Sequence, residues 1–142
     1  MRYLLDTNVV SEWTKPSPSS SVLRWFKQVD ETTVFLSVIT IAEIRQGIER
    51  LPHTRKRERL EVWLEDDLLT RFAGRVVDID QRTAAAWGKT TAHAARNGTP
   101  IGAMDAFVAA SATVHRLTIA TRNSKDFAQT GLPLVDPWKD QA

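Results

Sequence analysis

The chain has no cysteine among its 142 residues, which excludes a disulfide framework and thiolate zinc sites. It also lacks any run near the roughly 18 apolar residues that a membrane helix requires. The opening MRYLLDTN is broken by Asp6 before it reaches the length of a signal-peptide core, so a cytoplasmic protein with no membrane partner is expected. Neither sign of charge dominates: 19 Lys and Arg stand against 17 Asp and Glu, a net charge of +2. That balance alone does not announce a nucleic-acid binder. The three histidines, His53, His93 and His115, are too scattered to suggest a zinc triad.

What is present is ordinary globular material, 42% hydrophobic and 25% charged. No repeat, low-complexity tract or linker interrupts it, so one domain over residues 1–142 is expected. A chain of this length buries roughly two-thirds of its unfolded surface and needs no metal to hold it together. Any metal is then expected to be functional.

Short β-branched apolar segments alternate with longer helical patterns, the signature of βα units around a parallel sheet. Strands are predicted over residues 2–5, 33–37, 75–78 and 118–121, with a weaker one at 134–135. Residues 16–21 read as a turn, with Ser20 or Ser21 capping a helix that carries Val22, Leu23, Trp25, Phe26 and Val29. Helices are also predicted over 40–51, ended by Pro52, and over 54–72, and these two form a hairpin. Further helices cover 81–97 and 103–116, the second apolar nearly all round and therefore buried.

The acidic residues fall in telling places. Asp6 follows the first strand directly, at the carboxyl edge where open parallel sheets bind ligands; a helix-capping role would also suit it. Glu43 lies one turn into a helix among Ile39, Ile41, Ala42, Ile44 and Ile48, so its charge needs an arginine or a metal as partner. Asp105 alone interrupts IGAMDAFVAASATV. Because that helix ends where the strand at 118 begins, its start must lie beside the carboxyl end of that strand. Asn123 and Asp126 follow the same strand and reach the same rim. Carboxylates held this close raise each other's pKa unless a cation compensates, and Mg²⁺, an oxygen-seeking ion that binds through one or two carboxylates plus phosphate, fits that need. The pattern points to phosphate chemistry.

The segments LLDTNVVSE, SVITIAEIRQGI, AMDAFVAASA, IATRNSKDF and DPW, in this order over nearly the whole chain, resemble the PIN-domain family, in particular the VapC-type toxins of bacterial toxin–antitoxin pairs. The resemblance implies an α/β fold, a three-layer α/β/α domain with a central parallel sheet of four to five strands. It also implies a Mg²⁺-dependent endoribonuclease, with Mn²⁺ able to substitute, that leaves 5′-phosphate and 3′-hydroxyl ends. Carried across, it makes Asp6, Glu43 and Asp105 the main acidic positions. The fourth position, often Asp in relatives, is Asn123 here, and Asp126 one turn on is the alternative source of charge. Asp6 and Asp105 are expected to ligate the metal, Glu43 and Asp126 to orient or deprotonate the attacking water. Thr7, Asn8, Ser37 and Thr121 are candidates for hydrogen bonds that hold these groups. Glu12 is expected at the surface or in a supporting role.

The implied partners are RNA, a small antitoxin lying across the active-site groove, and a second copy in a homodimer. Arg45, Arg122, Lys125 and the basic run 53–59 are candidate phosphate contacts, and Trp13, Trp25 and Phe26 either face the groove or pack in the core. Three other readings compete. An aspartate-nucleophile phosphohydrolase needs an acid two residues after Asp6, where Asn8 stands. A PIN-like module that binds RNA or protein without cleaving is permitted by Asn123. A phosphoacceptor receiver domain, lacking its early acidic dyad, fits poorly.

Overall fold

Five short strands form one parallel sheet in the computed structural model, which describes residues 1–139. They are β1 (Tyr3–Leu5), β2 (Val34–Ser37), β3 (Val76–Val77), β4 (Thr118–Ala120) and β5 (Leu134–Val135), in the spatial order β3-β2-β1-β4-β5. The chain therefore begins at the centre of the sheet and winds outward on both sides. Tyr3 pairs with Val34 on one side and with Thr118 on the other, all in parallel, so the carboxyl ends of the strands share one edge.

Parallel neighbours need crossovers, and helices supply them. These are α1 (Thr7–Ser11), α2 (Ser20–Gln28), α3 (Val38–Glu49), α4 (Arg55–Val62), α5 (Leu69–Arg71), α6 (Gln81–Arg96), α7 (Ala103–His115) and α8 (Ser124–Phe127). Alternation along the strands divides the core into two layers. Leu4 and Ile119 pack with Val108, Ala109, Ala112 and Phe127 on one face. Leu5 and Ala120, one residue on, pack with Val9, Trp25, Ile44, Leu64, Leu68 and Phe72 on the other. The expected three-layer α/β/α arrangement follows. No helix among the described residues is long and apolar enough to cross a membrane.

Three local expectations need correction. Ser19, rather than Ser20 or Ser21, caps α2, accepting from the Val22 amide at 3.4 Å. The strand over 75–78 shortens to Val76–Val77, because the Arg75 amide donates to the Phe72 carbonyl at 2.7 Å and closes the turn before it. The helix over 54–72 is continuous in direction but contains a π-helical segment, Trp63–Leu68. Leu64, Leu68 and Phe72 are all buried at spacings of four residues. Four residues overshoot a 3.6-residue turn, and the wider π turn takes up the excess so that all three stay on the core.

The predicted hairpin of α3 and α4 is present, and Arg57 ties it. Its guanidinium bonds Glu49 on α3, the Leu51 carbonyl at 3.0 Å and Glu61 one turn on at 2.9 Å. At the other end of the fold, α7 stops at Arg116, whose left-handed φ of 55° turns the chain into β4. Leu117 N donates to Ala112 O and Thr118 N to Arg2 O, which fixes the start of α7, and Asp105 with it, at the carboxyl edge.

Candidate active site

Asp6 leaves β1 and caps α1, its Oδ1 accepting from the Thr7 amide at 2.9 Å. Oδ2 accepts from the Thr121 hydroxyl at 2.7 Å and from Asn8 Nδ2 at 3.3 Å. Both alternatives for this residue are therefore realised at once, a helix cap facing the site. The carboxylate is nearly buried. Burial pushes its pKa up, the Thr121, Thr7 and Asn8 donors oppose that, and the negative field of Asp126 adds to it, leaving the group above its ordinary value.

Asp105 stands in the first turn of α7, half-buried. Burial, then the fields of Asp6, Asp126 and Glu43, push its pKa to about 6. Four carboxylates from β1, α3, α7 and α8 thus share one field, as their sequence positions led us to expect. Among the described residues no Lys or Arg forms an ion pair with any of them. Of the two partners that Glu43 was expected to need, arginine is therefore absent. Its Oε1 instead accepts from the Thr7 hydroxyl at 2.7 Å. Thr40, which the sequence reading did not select, backs this pair. It is fully buried, with Oγ1 at 3.5 Å from both Thr7 Oγ1 and the Leu5 carbonyl.

Thr121 and Asn8 join the two halves of the edge. The Thr121 hydroxyl, besides donating to Asp6, accepts from the Asn123 amide at 3.0 Å. Asn8 Oδ1 accepts from the Arg122 amide at 3.2 Å. Asn123 begins α8 without a side-chain cap, and Asp126 is exposed in its first turn, its amide bonded to the Asn123 carbonyl. Phe127, fully buried, pins that turn in place.

Ser37 does not join the group. Its hydroxyl caps α3 by accepting from the Ile39 amide at 3.0 Å, so it sets the helix that carries Glu43 and touches no carboxylate. Glu12 is buried rather than at the surface. Burial opposes its charge, but the Ser19 amide at 2.8 Å and the Lys15 ammonium at 3.0 Å outweigh it and hold its pKa below the ordinary value. Arg45 is engaged by Glu49 and Glu65. Trp25 is core, and Trp13 stacks on Phe26 at 4.3 Å against that same core.

The donor set is all oxygen, hard and net negative, with two carboxylates partly or wholly withdrawn from water. Among the described residues no three His, Cys, Asp or Glu side chains close up enough to hold a metal ion alone. Carboxylate oxygens are the donors that Mg²⁺ takes, beside waters and phosphate oxygens.

Comparison with known proteins agrees with this geometry. A family model described as PIN domain matches residues 3–132. The chain is 38% identical to toxin FitB of Neisseria gonorrhoeae over 137 residues, 96% of this chain and 99% of that protein. It is 36% identical to VapC ribonuclease Y4jK of Sinorhizobium fredii over 136 residues, 96% and 97% of the two. In three dimensions it is similar to a chain of FitAB bound to an IR36 DNA fragment, with TM-score 0.93, 35% identity, and 99% and 98% of the chains covered.

Proposed function

The chain belongs to the PIN-domain family, and we propose that it is a Mg²⁺-dependent endoribonuclease, the toxin of a toxin–antitoxin pair. The observation that carries this reading is the gathering of four carboxylates at one sheet edge, where burial first and then the fields of Asp6, Asp126 and Glu43 push Asp105 to about 6. The names of its relatives, a toxin and a VapC ribonuclease, support the same assignment.

Asp6 and Asp105 would hold the metal. When bound, Mg²⁺ supplies positive charge to the scissile phosphate and acidifies water at neutral pH. Thr121 and Asn8 fix the Asp6 carboxylate, leaving it little rotational freedom to lose. Thr7 holds Glu43 by Oε1, so Oε2 is left to accept the proton of an attacking water. Attack on phosphorus in line with the P–O3′ bond breaks that bond, and O3′ leaves with a proton, giving 5′-phosphate and 3′-hydroxyl ends. Asp126 stands where it adds the charge that Asn123 does not carry. The partner that restrains the enzyme would be a small antitoxin across this edge, and the working form a homodimer in the cytoplasm.

The test is cleavage of labelled RNA with Mg²⁺, with and without EDTA, by the wild type and by Asp6→Asn and Asp105→Asn. Loss of rate by a factor of about 100 or more in each variant, with the fold retained, is expected. Cleavage by either variant at the wild-type rate overturns the assignment. Asn123 favours a second reading, a binding module that no longer cleaves. A wild type inert on every RNA, with activity appearing in Asn123→Asp, would select it.

A further inference from the structure

A cleft of about 540 Å³ lies between the segment after α1 and the outer flank of α4, and its walls carry Lys15, Lys56 and Arg59 with Leu51, Leu60 and Trp63. No carboxylate lines it. Lys56 and Arg59 are exposed, and among the described residues neither forms an ion pair. Elsewhere in the basic run Arg57 is spent on the α3/α4 hairpin, and Arg59 and Trp63 also border a neighbouring hollow where Arg55 stands with Glu58 and Asp67. In the cleft itself Lys56 and Arg59 present unpaired positive charge beside the Trp63 ring, while Lys15 is paired with Glu12.

A relay of charged residues leads from the carboxylate edge toward this cleft. Arg122, whose amide bonds Asn8 beside Asp6, places its guanidinium 5.1 Å over the Trp138 ring and acts electrostatically on Glu12. Glu12 in turn holds Lys15, which lines the cleft. Beyond the Glu12–Lys15 pair the cleft supplies Lys56 and Arg59 as unpaired cations and Trp63 as a ring. Alternating phosphate and base is the chemistry that such a track fits: cations for the backbone, an aromatic face for a base.

Resting on the ribonuclease reading, we infer that the Lys15–Lys56–Arg59–Trp63 cleft seats the single-stranded flank of the RNA substrate, several nucleotides from the cut bond. The enzyme would then prefer long single-stranded substrates to short ones, by contacts outside its active site.

Two measurements on the full chain test this. In EDTA, binding of fluorescein-labelled oligo(U) of 12 nucleotides is followed by anisotropy across a salt series. Lys56→Glu/Arg59→Glu should bind at least tenfold more weakly, with a log–log salt slope shallower by about 1.4, roughly 0.7 for each of two phosphate contacts on a single strand. With Mg²⁺, the loss in kcat/KM should be at least tenfold larger on the 12-mer than on a trinucleotide. The charge-matched Arg82→Glu/Lys89→Glu, on α6, controls for net charge. Equal losses on both lengths, an unchanged salt slope, or the same effect in the α6 control would each overturn the track. So would unaltered RNA handling combined with loss of protein-partner binding, which would make the cleft a peptide seat. A wild type that neither binds nor cleaves RNA would instead fail the ribonuclease reading, so the two failures are separable.

Discussion

Asp105 shows how one residue links charge to stability. Its carboxyl titrates at about 6 instead of its ordinary 3.8, so between those values the folded protein binds a proton that the unfolded chain has released. Stability of the metal-free protein must then fall as pH rises through that window, and the loss is complete above about 6. Asp6, shifted in the same direction, adds to the slope. Asp105→Asn removes the charge while keeping the shape. Urea denaturation in EDTA should find this variant more stable than wild type at pH 7 by about 1 kcal/mol, allowing for solvent screening of a half-buried group. It should also show a flatter profile between pH 4 and 6. Parallel profiles for the two proteins would mean that neither burial nor its neighbours shift the Asp105 carboxyl.

At the scale of elements, the α3/α4 hairpin matters because α3 carries Glu43 to the edge while α4 forms a wall of the cleft. Arg57 is its principal tie, with a side chain only 11% exposed and partners on α3, on the connecting loop and on α4. Arg57→Ala should cost about 1–2 kcal/mol in urea denaturation, since it leaves the Leu51 carbonyl and two carboxylates without their donor. Faster proteolysis between residues 50 and 54 should accompany it, and unchanged nicking there would show that the hairpin is held by packing alone. Much of this architecture was legible in the sequence, because β-branched runs alternate with long periodic ones and because Asp105 breaks an otherwise apolar helix. The π segment was not: a spacing of four at Leu64, Leu68 and Phe72 is compatible with an α-helix until the core fixes all three. Of the two places left open for Glu12, burial against Ser19 and Lys15 removes the surface one, and that burial depends on how the chain turns after α1. Ser37 was placed near the carboxylates by its position at a strand end, yet its hydroxyl is consumed by a helix amide.

On the scale of the whole molecule, a net charge of +2 conceals an uneven distribution. The carboxyl edge of the sheet gathers negative charge from four elements, while unpaired cations lie on the flank of α4. Folding brings the carboxylates together at a cost that packing in the two core layers must offset, so a divalent ion bound only by the folded state should stabilise the whole molecule by mass action. At one hundred times its dissociation constant, such an ion contributes about 2.7 kcal/mol, which for a chain of this size corresponds to a rise in melting temperature on the order of 10 °C. Mn²⁺ titration monitored by thermal denaturation should therefore raise Tm in the wild type, EDTA should reverse it, and Asp6→Asn/Asp105→Asn should abolish the response. Because that double variant also loses the repulsion, its metal-free Tm should start above that of the wild type. Metal-dependent stabilisation that persisted in the double variant would place the ion elsewhere and remove the metal from the proposed chemistry of this edge.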